Sequence, residues 1–466
     1  MEMNSTLPSH TQTQLEFDPA SKPPPQPSPD GTRRRFVVHS DKDDYDYVAQ
    51  RQTAKPTNTL ESTAHLVKGC LGGGILGIHE AYMKTGIWTA LFTTFLFAFY
   101  IAYCIHMLVA AAQTLYKRLH VTEMSYPDLA EASVETGPFT CLKKYSKFFR
   151  YVVDATICID LFGACCVYEI IIAKTIKELI ENSTGMVDND LNMLRLYIFA
   201  LLVPVLLLCM ITTLKYLAPF SLVADVFIVA CVVATVYYGL QKAPDISTVP
   251  AWKSGIGFFE FCGIVVFGME GVGVSLPIEN NMKDPTKFPL VLGAGMSVVV
   301  TFLSLVGFFG YWGFGEETIS PVTLNFPKEV FPTVLQCLMG IMIFITFALN
   351  FWAPFNLVWF YISKKHNTDT HWIWERVYRA AFVVLITIIA IAFPNIGNLM
   401  GLLGAFSLSN IGFIFPALIN TLVIWENPGL GKWKWRLWKN MFVLALGVLL
   451  FIAGTYSNLK GLIQNL

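Results

Sequence analysis

His65–Lys84 reads HLVKGCLGGGILGIHEAYMK, and Phe261–Asp284 reads FCGIVVFGMEGVGVSLPIENNMKD. Both stretches are hydrophobic runs that clustered glycines interrupt near the middle. The interrupting glycines are Gly72, Gly73, Gly74 and Gly77 in the first stretch and Gly268, Gly271 and Gly273 in the second. Each glycine weakens a helix by about 1 kcal/mol relative to alanine. We therefore expect each stretch to form a helix that unwinds at its glycines.

The composition predicts a membrane protein. Of the 466 residues, 54% are hydrophobic and 14% are charged, whereas a soluble domain carries about 25% charged residues. The charges lie between apolar runs of about 20 residues, the length at which a helix crosses the hydrocarbon core of a bilayer. We predict an all-α multi-pass membrane protein in contact with membrane lipid. The sequence has no phosphate-binding loop, nucleophile elbow or metal motif, so we expect no enzyme, no metal or cofactor, and no nucleic-acid partner.

The apolar runs predict about eleven transmembrane helices in two sets of five plus one. The predicted spans are residues 62–83, 87–113, 148–175, 194–213, 218–240, 256–276, 288–312, 332–361, 375–393, 396–424 and 437–457. A set of five spans reverses direction, so the second set is inverted relative to the first, as in transporters built from inverted repeats. The predicted division is a proline-rich, disordered cytosolic tail at 1–59, a transmembrane domain at 60–457 with repeats at 60–240 and 256–425 and an eleventh helix at 437–457, and a short C-terminal tail at 458–466.

Positive charge predicts the orientation of these spans. Lysine and arginine are concentrated in the loops on the same side as the N-terminus, and cytoplasmic loops are the ones enriched in these residues. We therefore expect a cytosolic N-terminus. In this topology Asn182-Ser183-Thr184 is the sequon exposed to the lumen, which predicts a glycoprotein with a glycan on Asn182. An unused sequon is the alternative.

The two glycine clusters predict a binding site for a zwitterion. Two interrupted spans at corresponding positions of two repeats indicate the binding site of a transporter. The half-helix that begins at Gly72, Gly73 and Gly74 presents unpaired N–H groups and a partial positive charge, which suit a carboxylate. The unwound carbonyls around Gly268 and Gly271 suit an ammonium group. Close packing of helices through small residues is the alternative reading of the glycines.

Four further side chains are candidates at this site. Glu270 lies inside the second break, where a carboxylate near the middle of the bilayer indicates function. We interpret it as a proton carrier, with hydrogen bonding to the unwound backbone as the alternative. His65 precedes the first glycines and titrates in the range that a proton-coupled carrier needs; an interfacial structural histidine is the alternative. Tyr168 closing over a ligand and Phe267 acting as an aromatic gate are weighed against ordinary packing.

Several dispersed motifs resemble one family. They include HLVKGCLGGGILG at His65–Gly77, GACCVY at Gly163–Tyr168 and FGMEGVGVSLPIENNMKDPTKFP at Phe267–Pro289. Together they make residues 60 to 455 similar to the proton-coupled amino acid transporters of the amino acid/auxin permease group, with the insect members as the first comparison. The resemblance implies a leucine-transporter-like fold and symport of a proton with a small neutral amino acid such as glycine, alanine or proline. It also implies that His65 takes part in proton coupling.

The same resemblance implies residence at the plasma membrane or on lysosomes. Some members of the family act as nutrient sensors, so signalling partners of the N-terminal tail are an expectation as well. The sequence departs from the family pattern at Cys70, where asparagine is common, and at Ile78-His79, where leucine-proline is usual. These departures keep two alternatives open. One is an amino acid sensor with low flux that signals to growth control, and the other is a facilitator or exchanger that ignores pH.

Overall fold

The computed structural model describes residues 45–51, 53, 55–185, 190–211 and 218–464, with side chains of the segment after 211 described from 223 onward. Apart from one isolated bridge between Thr57 and Met282, the elements within these ranges are helices. The predicted tail residues 1–44 lie outside the described part of the chain.

The α-helices follow one another with short connections. Their bounds are α1 Tyr47–Gln50, α2 Thr59–Cys70, α3 Ile78–Thr85, α4 Ile87–Leu119, α5 Tyr126–Glu135, α6 Thr140–Lys143, α7 Ser146–Thr184, α8 Leu191–Cys209, α9 Ala218–Lys242, α10 Gly255–Gly268, α11 Val272–Asn281, α12 Phe288–Phe314, α13 Val330–Ile362, α14 His371–Ala392, α15 Ile396–Leu403, α16 Phe415–Ile424, α17 Trp435–Leu449 and α18 Thr455–Gln464.

Nine helical segments of the described chain are long and apolar enough to cross a membrane. The predicted first span is not among them because its glycines divide it into α2 and α3. The predicted ninth span corresponds to α14, which carries Glu375, Arg376 and Arg379 in its first half. Arg379 is buried there and donates to Glu375 over 2.9 Å. The eleven predicted spans are therefore compatible with the observed helices.

The broken helices lie in the interior of the bundle. The α10 helix packs against α3 and α15, α2 packs against α12, and α7 packs against α13. The outward faces are apolar, as on α4, where Phe92, Phe95, Leu96 and Phe99 are exposed. An apolar exterior around a packed interior is what a bilayer selects, since lipid satisfies apolar side chains and offers no hydrogen bonds.

Local sequence fixes how the chain enters and leaves the first broken helix. Asn58 accepts a hydrogen bond from the Glu61 N–H, and the Glu61 carboxylate accepts one from the Asn58 N–H, so a capping box begins α2. Gly86 ends α3 with φ of +101°. A Cβ built on Gly86 would lie 2.7 Å from backbone atoms of Ala251, so only glycine fits this turn. We call the end where α2 begins the N-terminal end of the bundle, and the end where α3 finishes the opposite end.

Three segments differ from the sequence interpretation. Residues 45–51, assigned to the disordered tail, contain α1 at Tyr47–Gln50 and pack on the bundle, where Tyr47 is buried. The predicted C-terminal tail from residue 458 is helical through Gln464, since α18 packs against α15. The predicted tenth span contains π-helical turns at 404–408 and 410–414, which commonly mark functional positions.

Candidate functional site

The two glycine clusters unwind their helices, as the sequence predicts. The α2 helix ends at Cys70, a 3₁₀ turn runs over Gly73–Leu76, and α3 begins at Ile78. The α10 helix ends at Gly268, and α11 begins at Val272. Each broken helix therefore exposes peptide groups that a continuous helix would satisfy internally.

The two breaks touch each other through their backbones. A Cβ built on Gly74 would lie 2.6 Å from the Gly268 Cα and 3.1 Å from its nitrogen. The same position is 3.3 Å from Cδ1 of the buried Phe267 ring. A Cβ on Gly271 would lie 2.5 Å from Cys70 Sγ. Because glycine has no Cβ at these positions, the backbones of the two unwound segments lie in direct contact. Any other residue would force them apart.

Tyr168 of α7 closes one side of the first break. A Cβ on Gly73 would lie 2.4 Å from the Tyr168 ring, and one on Gly72 would lie 3.2 Å from its hydroxyl. The hydroxyl is hydrogen-bonded to the Gly73 backbone and accepts from Asn350 Nδ2 over 3.0 Å. The ring is thus fixed between the break and α13.

These contacts bring the predicted substrate-binding residues together. The seven residues are Gly72, Gly73, Gly74, Tyr168, Phe267, Gly268 and Gly271. They form one contiguous cluster, which we call the glycine-break site. Its N–H groups suit a carboxylate and its carbonyls suit an ammonium, and Tyr168 and Phe267 add two aromatic walls. The binding role of each residue remains a prediction.

Glu270 and His65, the predicted proton-coupling residues, occupy different surroundings. Glu270 lies in the second break and is hydrogen-bonded to Asp160 of α7. His65 lies on α2, half-buried, with Glu61 and Lys68 as its charged neighbours. The structure therefore places Glu270 beside the glycine-break site, next to Gly271 in the chain, and His65 more than one helical turn before that site. Their coupling roles remain predictions.

The N-terminal end of the bundle is closed by an ion pair that sequence reasoning missed. Arg51 contacts Glu279 of α11 over 3.0 Å, and their side chains are only 5% and 0% exposed. The Arg51 guanidinium also donates to Thr122 O over 2.7 Å and to Glu279 O over 3.0 Å. Gln113 Nε2 of α4 donates to the same Glu279 carboxylate over 3.0 Å. We call this cluster the Arg51 latch.

Tyrosines surround the Arg51 latch. The guanidinium lies 5.0 Å from the Tyr47 ring centre and 5.4 Å from that of Tyr116, within the range of cation–π attraction. Burial first, and the Glu279 charge second, raise the pKa of Tyr47 to about 12. The segment before α2 is thus fastened to α11, the second half of the other broken helix.

A second polar cluster closes the opposite end. Lys84 Nζ at the end of α3 lies 2.9 Å from Glu260 of α10 and donates to Asn398 Oδ1 of α15 over 2.6 Å. Glu80 accepts from the Ser320 hydroxyl over 2.5 Å. Polar contacts therefore join α3, α10 and α15 at the opposite end of the bundle from α1. The sequence does show a charged residue on each half of each broken helix. It does not show which charged residues pair, because the partners lie far apart in the chain.

Two further predicted positions have clear surroundings. Asn182 is half-buried in the last turn of α7, and its glycosylation remains a prediction. His79, at the position of the second departure noted in the sequence analysis, is fully buried, and its Nε2 is 2.9 Å from Ile319 O. The His79 side chain therefore holds the loop after α12 and lies outside the glycine-break site.

An all-helical bundle whose two broken helices meet at its centre is the architecture of a leucine-transporter-like secondary transporter. The chain belongs to the family described as transmembrane amino acid transporter protein, whose sequence profile matches residues 55–459. It is therefore an integral multi-pass membrane protein that transports amino acids, and not an enzyme.

Relatives from two animals support this placement. The chain is 36% identical over 430 residues to the proton-coupled amino acid transporter-like protein pathetic of Drosophila melanogaster, covering 90% of this chain and 88% of that protein. It is 27% identical over 411 residues to the probable amino acid transporter skat-1 of Caenorhabditis elegans, covering 86% and 89%. The predicted family is confirmed.

Solved structures show the same fold at low sequence identity. MhsT in complex with L-phenylalanine has a TM-score of 0.53 and 13% identity, covering 85% of this chain and 98% of that one. Mhp1, a nucleobase-cation-symport-1 family transporter in a closed conformation with bromovinylhydantoin bound, has a TM-score of 0.51 and 11% identity, covering 88% and 92%. The predicted fold class is confirmed by these neighbours.

Proposed function

We propose that this transporter carries small neutral amino acids of the glycine, alanine and proline type together with a proton, by alternating access. The observation that carries the proposal is the direct contact of the two breaks at Gly74 and Gly268. The first break offers N–H groups to the substrate carboxylate, and the second offers carbonyls to its ammonium. Tyr168 and Phe267 restrict the remaining volume, which favours a small side chain.

Alternating access requires that the two ends of the site open in turn. The Arg51 latch closes the N-terminal end, and the Lys84–Glu260 pair closes the opposite end. The described conformation has both clusters formed, which is the arrangement expected of an occluded intermediate. We propose that each cluster breaks in its own half of the transport cycle.

The proton is the proposed coupling ion, with no other cofactor. The family resemblance and the word proton-coupled in the name of the Drosophila relative support it. One proton entering down about 100 mV supplies roughly 2.3 kcal/mol, and a pH difference of one unit adds about 1.4 kcal/mol. Together these energies sustain a several-hundredfold accumulation of a neutral substrate.

Labelled-alanine uptake and membrane current in expressing oocytes test the proposal. Measurements at external pH of about 5.5 and about 7.5 bracket the histidine range. We expect uptake that rises in acid and an inward current that accompanies alanine. Uptake without current or pH dependence would reject the proton and support a facilitator or exchanger. Retained binding with almost no flux would support an amino acid sensor.

We expect His65→Ala to flatten the acid stimulation of uptake, because it removes a group that titrates in the working range. The pH profile of labelled-alanine uptake measures the effect. His106→Ala is the matched control, since His106 lies exposed on α4 and its loss should leave the profile intact. An unchanged profile for His65→Ala would remove His65 from the coupling path.

The proposed orientation has a cytosolic N-terminus, at the plasma membrane or on lysosomes, with a glycan on Asn182. We expect Asn182→Gln to abolish the glycosidase-sensitive shift in gel mobility, because the sequon then lacks its acceptor amide. Asn4→Gln, which removes the sequon of the N-terminal tail, is the control and should keep the shift. A wild-type protein without any glycosidase shift would contradict the glycan.

A further inference from the structure

Two carboxyl groups meet beside the glycine-break site. Asp160 lies in the interior of α7 and is 1% exposed. Its side chain is hydrogen-bonded to that of Glu270, the residue inside the second break. Sequence reasoning gave Glu270 a role in coupling and did not connect it with Asp160. The structure joins them across 110 residues of chain.

A hydrogen bond between two carboxyl groups contains a proton. Two carboxylate anions within hydrogen-bond reach repel each other, and burial in low dielectric makes the repulsion stronger, so the pair holds at least one proton between its members. Among the described residues no donor bonds to Asp160 Oδ1, and the partner of the Asp160 carboxyl is Glu270.

In the part of the chain that the structure describes, no lysine, arginine or histidine interacts with the pair. The other titratable groups that face the pair are the Cys70 thiol and the Tyr168 hydroxyl, both next to Glu270. The α15 helix and residues 404–414 pack on α7 without any ionisable side chain.

Several other charged groups on α7 and its neighbours contact partners away from the pair. Asp128 and Glu131 of α5 contact Arg150, and Tyr361 of α13 donates to Asp154. Glu375 of α14 contacts Arg379, Arg195 of α8 donates to Ile391 O, and Glu169 accepts from Thr387 over 2.8 Å. In the described part of the chain, none of these groups contacts Asp160 or Glu270.

The position of the pair links its proton to the conformation of the site. Glu270 lies between α10 and α11, whereas Asp160 belongs to α7, whose Tyr168 covers the first break. Any opening that moves the second break away from α7 separates the two carboxyls. Loss of the shared proton turns their attraction into repulsion and favours that separation.

We propose that Asp160 and Glu270 form a single proton-binding site whose shared proton holds the glycine-break site closed. This inference rests on the proposed proton-coupled transport and assigns the coupling proton to a named pair. Binding of the proton joins α7 to the second break around the substrate. Its release on the other side of the membrane reopens the site, and no covalent bond other than those of the transferred proton changes.

Asp160→Asn and Glu270→Gln test the pair, because each amide keeps the shape and a hydrogen bond but cannot take up and release the proton. We expect either variant to bring the ratio of uptake in acid to uptake at neutral pH to about unity and to lose the alanine-induced current. Exchange of internal for external alanine should persist, which shows that the variant is folded and binds substrate. Glu169→Gln is the matched control, since it removes a buried carboxyl of α7 that bonds Thr387, and it should keep the wild-type pH profile.

Infrared spectroscopy of the purified protein gives a readout that is independent of transport. We expect the wild type at neutral pH to show the carbonyl band of a protonated carboxyl, and either amide variant to shift or lose it, because the acid that shares the proton is gone. An unchanged band, or an Asp160→Asn variant that keeps wild-type pH dependence and current, would overturn the pair alone. A wild type whose uptake ignores pH would overturn proton-coupled transport and with it the coupling role of the pair.

Discussion

Gly74→Ala should reduce amino acid uptake by about 100-fold, the scale of loss when a binding geometry is displaced by about 1 Å. The added Cβ would lie 2.6 Å from the Gly268 Cα and 3.1 Å from its nitrogen. These are backbone atoms, which cannot rotate away as a side chain does. The two unwound segments must therefore separate, and the substrate loses simultaneous contact with both. Uptake of labelled alanine, divided by surface abundance, measures the loss.

Substitutions at two other glycines serve as comparisons for Gly74→Ala. Gly273→Ala adds a methyl group in the first turn of α11, where a Cβ meets nothing within 4 Å, so uptake should stay near that of the wild type. Gly73→Ala meets the Tyr168 ring at 2.4 Å, and a ring can shift at an intermediate cost. Normal transport by Gly74→Ala would show that the contact between the breaks is not needed for function.

The glycine-break site could be predicted because its signal is local. Glycines clustered in an apolar run unwind a helix wherever that run lies. Two such runs in corresponding halves meet when the halves are related as inverted repeats. Gly74 and Gly268 touch for this reason, although neither shows its partner in the sequence.

The polar closures could not be predicted because their signal is tertiary. Arg51 is separated from Glu279 by 228 residues, and many arginines at the edge of a membrane domain look the same in sequence. Lys84 and Glu260 likewise resemble ordinary charges at the ends of spans. Asp160 lacked a partner in the sequence for the same reason, since only the packing of α7 on the second break brings it to Glu270.

The structure of two polar segments at the ends of the domain could not be predicted either, because it depends on tertiary packing. Tyr47 lies in a charged, polar stretch that predicts disorder, yet it becomes buried because Tyr116 and Arg51 form a niche for it. The segment 458–464 is too polar to read as membrane-spanning, but Leu462 is buried and the helix continues. Composition measures average hydrophobicity and misses single anchoring side chains.

The Arg51 latch has the second large expected effect. Arg51→Ala leaves Glu279 buried without its cation, and removing one partner of a buried ion pair costs about 3 kcal/mol or more. That cost falls on the conformation closed at the N-terminal end, because only there are the two side chains together. We therefore expect the variant to populate the conformation open at that end, to accumulate severalfold less alanine, and to keep alanine exchange.

Labelling of Cys70 reports this opening directly. Cys70 is 2% exposed and packs on Gly271 of the glycine-break site, so its thiol should react slowly in the wild type and faster in Arg51→Ala. Peptide-level mass spectrometry distinguishes it from the exposed Cys141 and Cys337. Lys287→Ala is the matched control, because the Lys287–Asp284 pair is exposed on both sides and exposed pairs contribute little. Slow labelling in Arg51→Ala together with wild-type accumulation would show that the Arg51 latch does not gate the site, since a gate that has lost its main ion pair cannot keep the thiol protected.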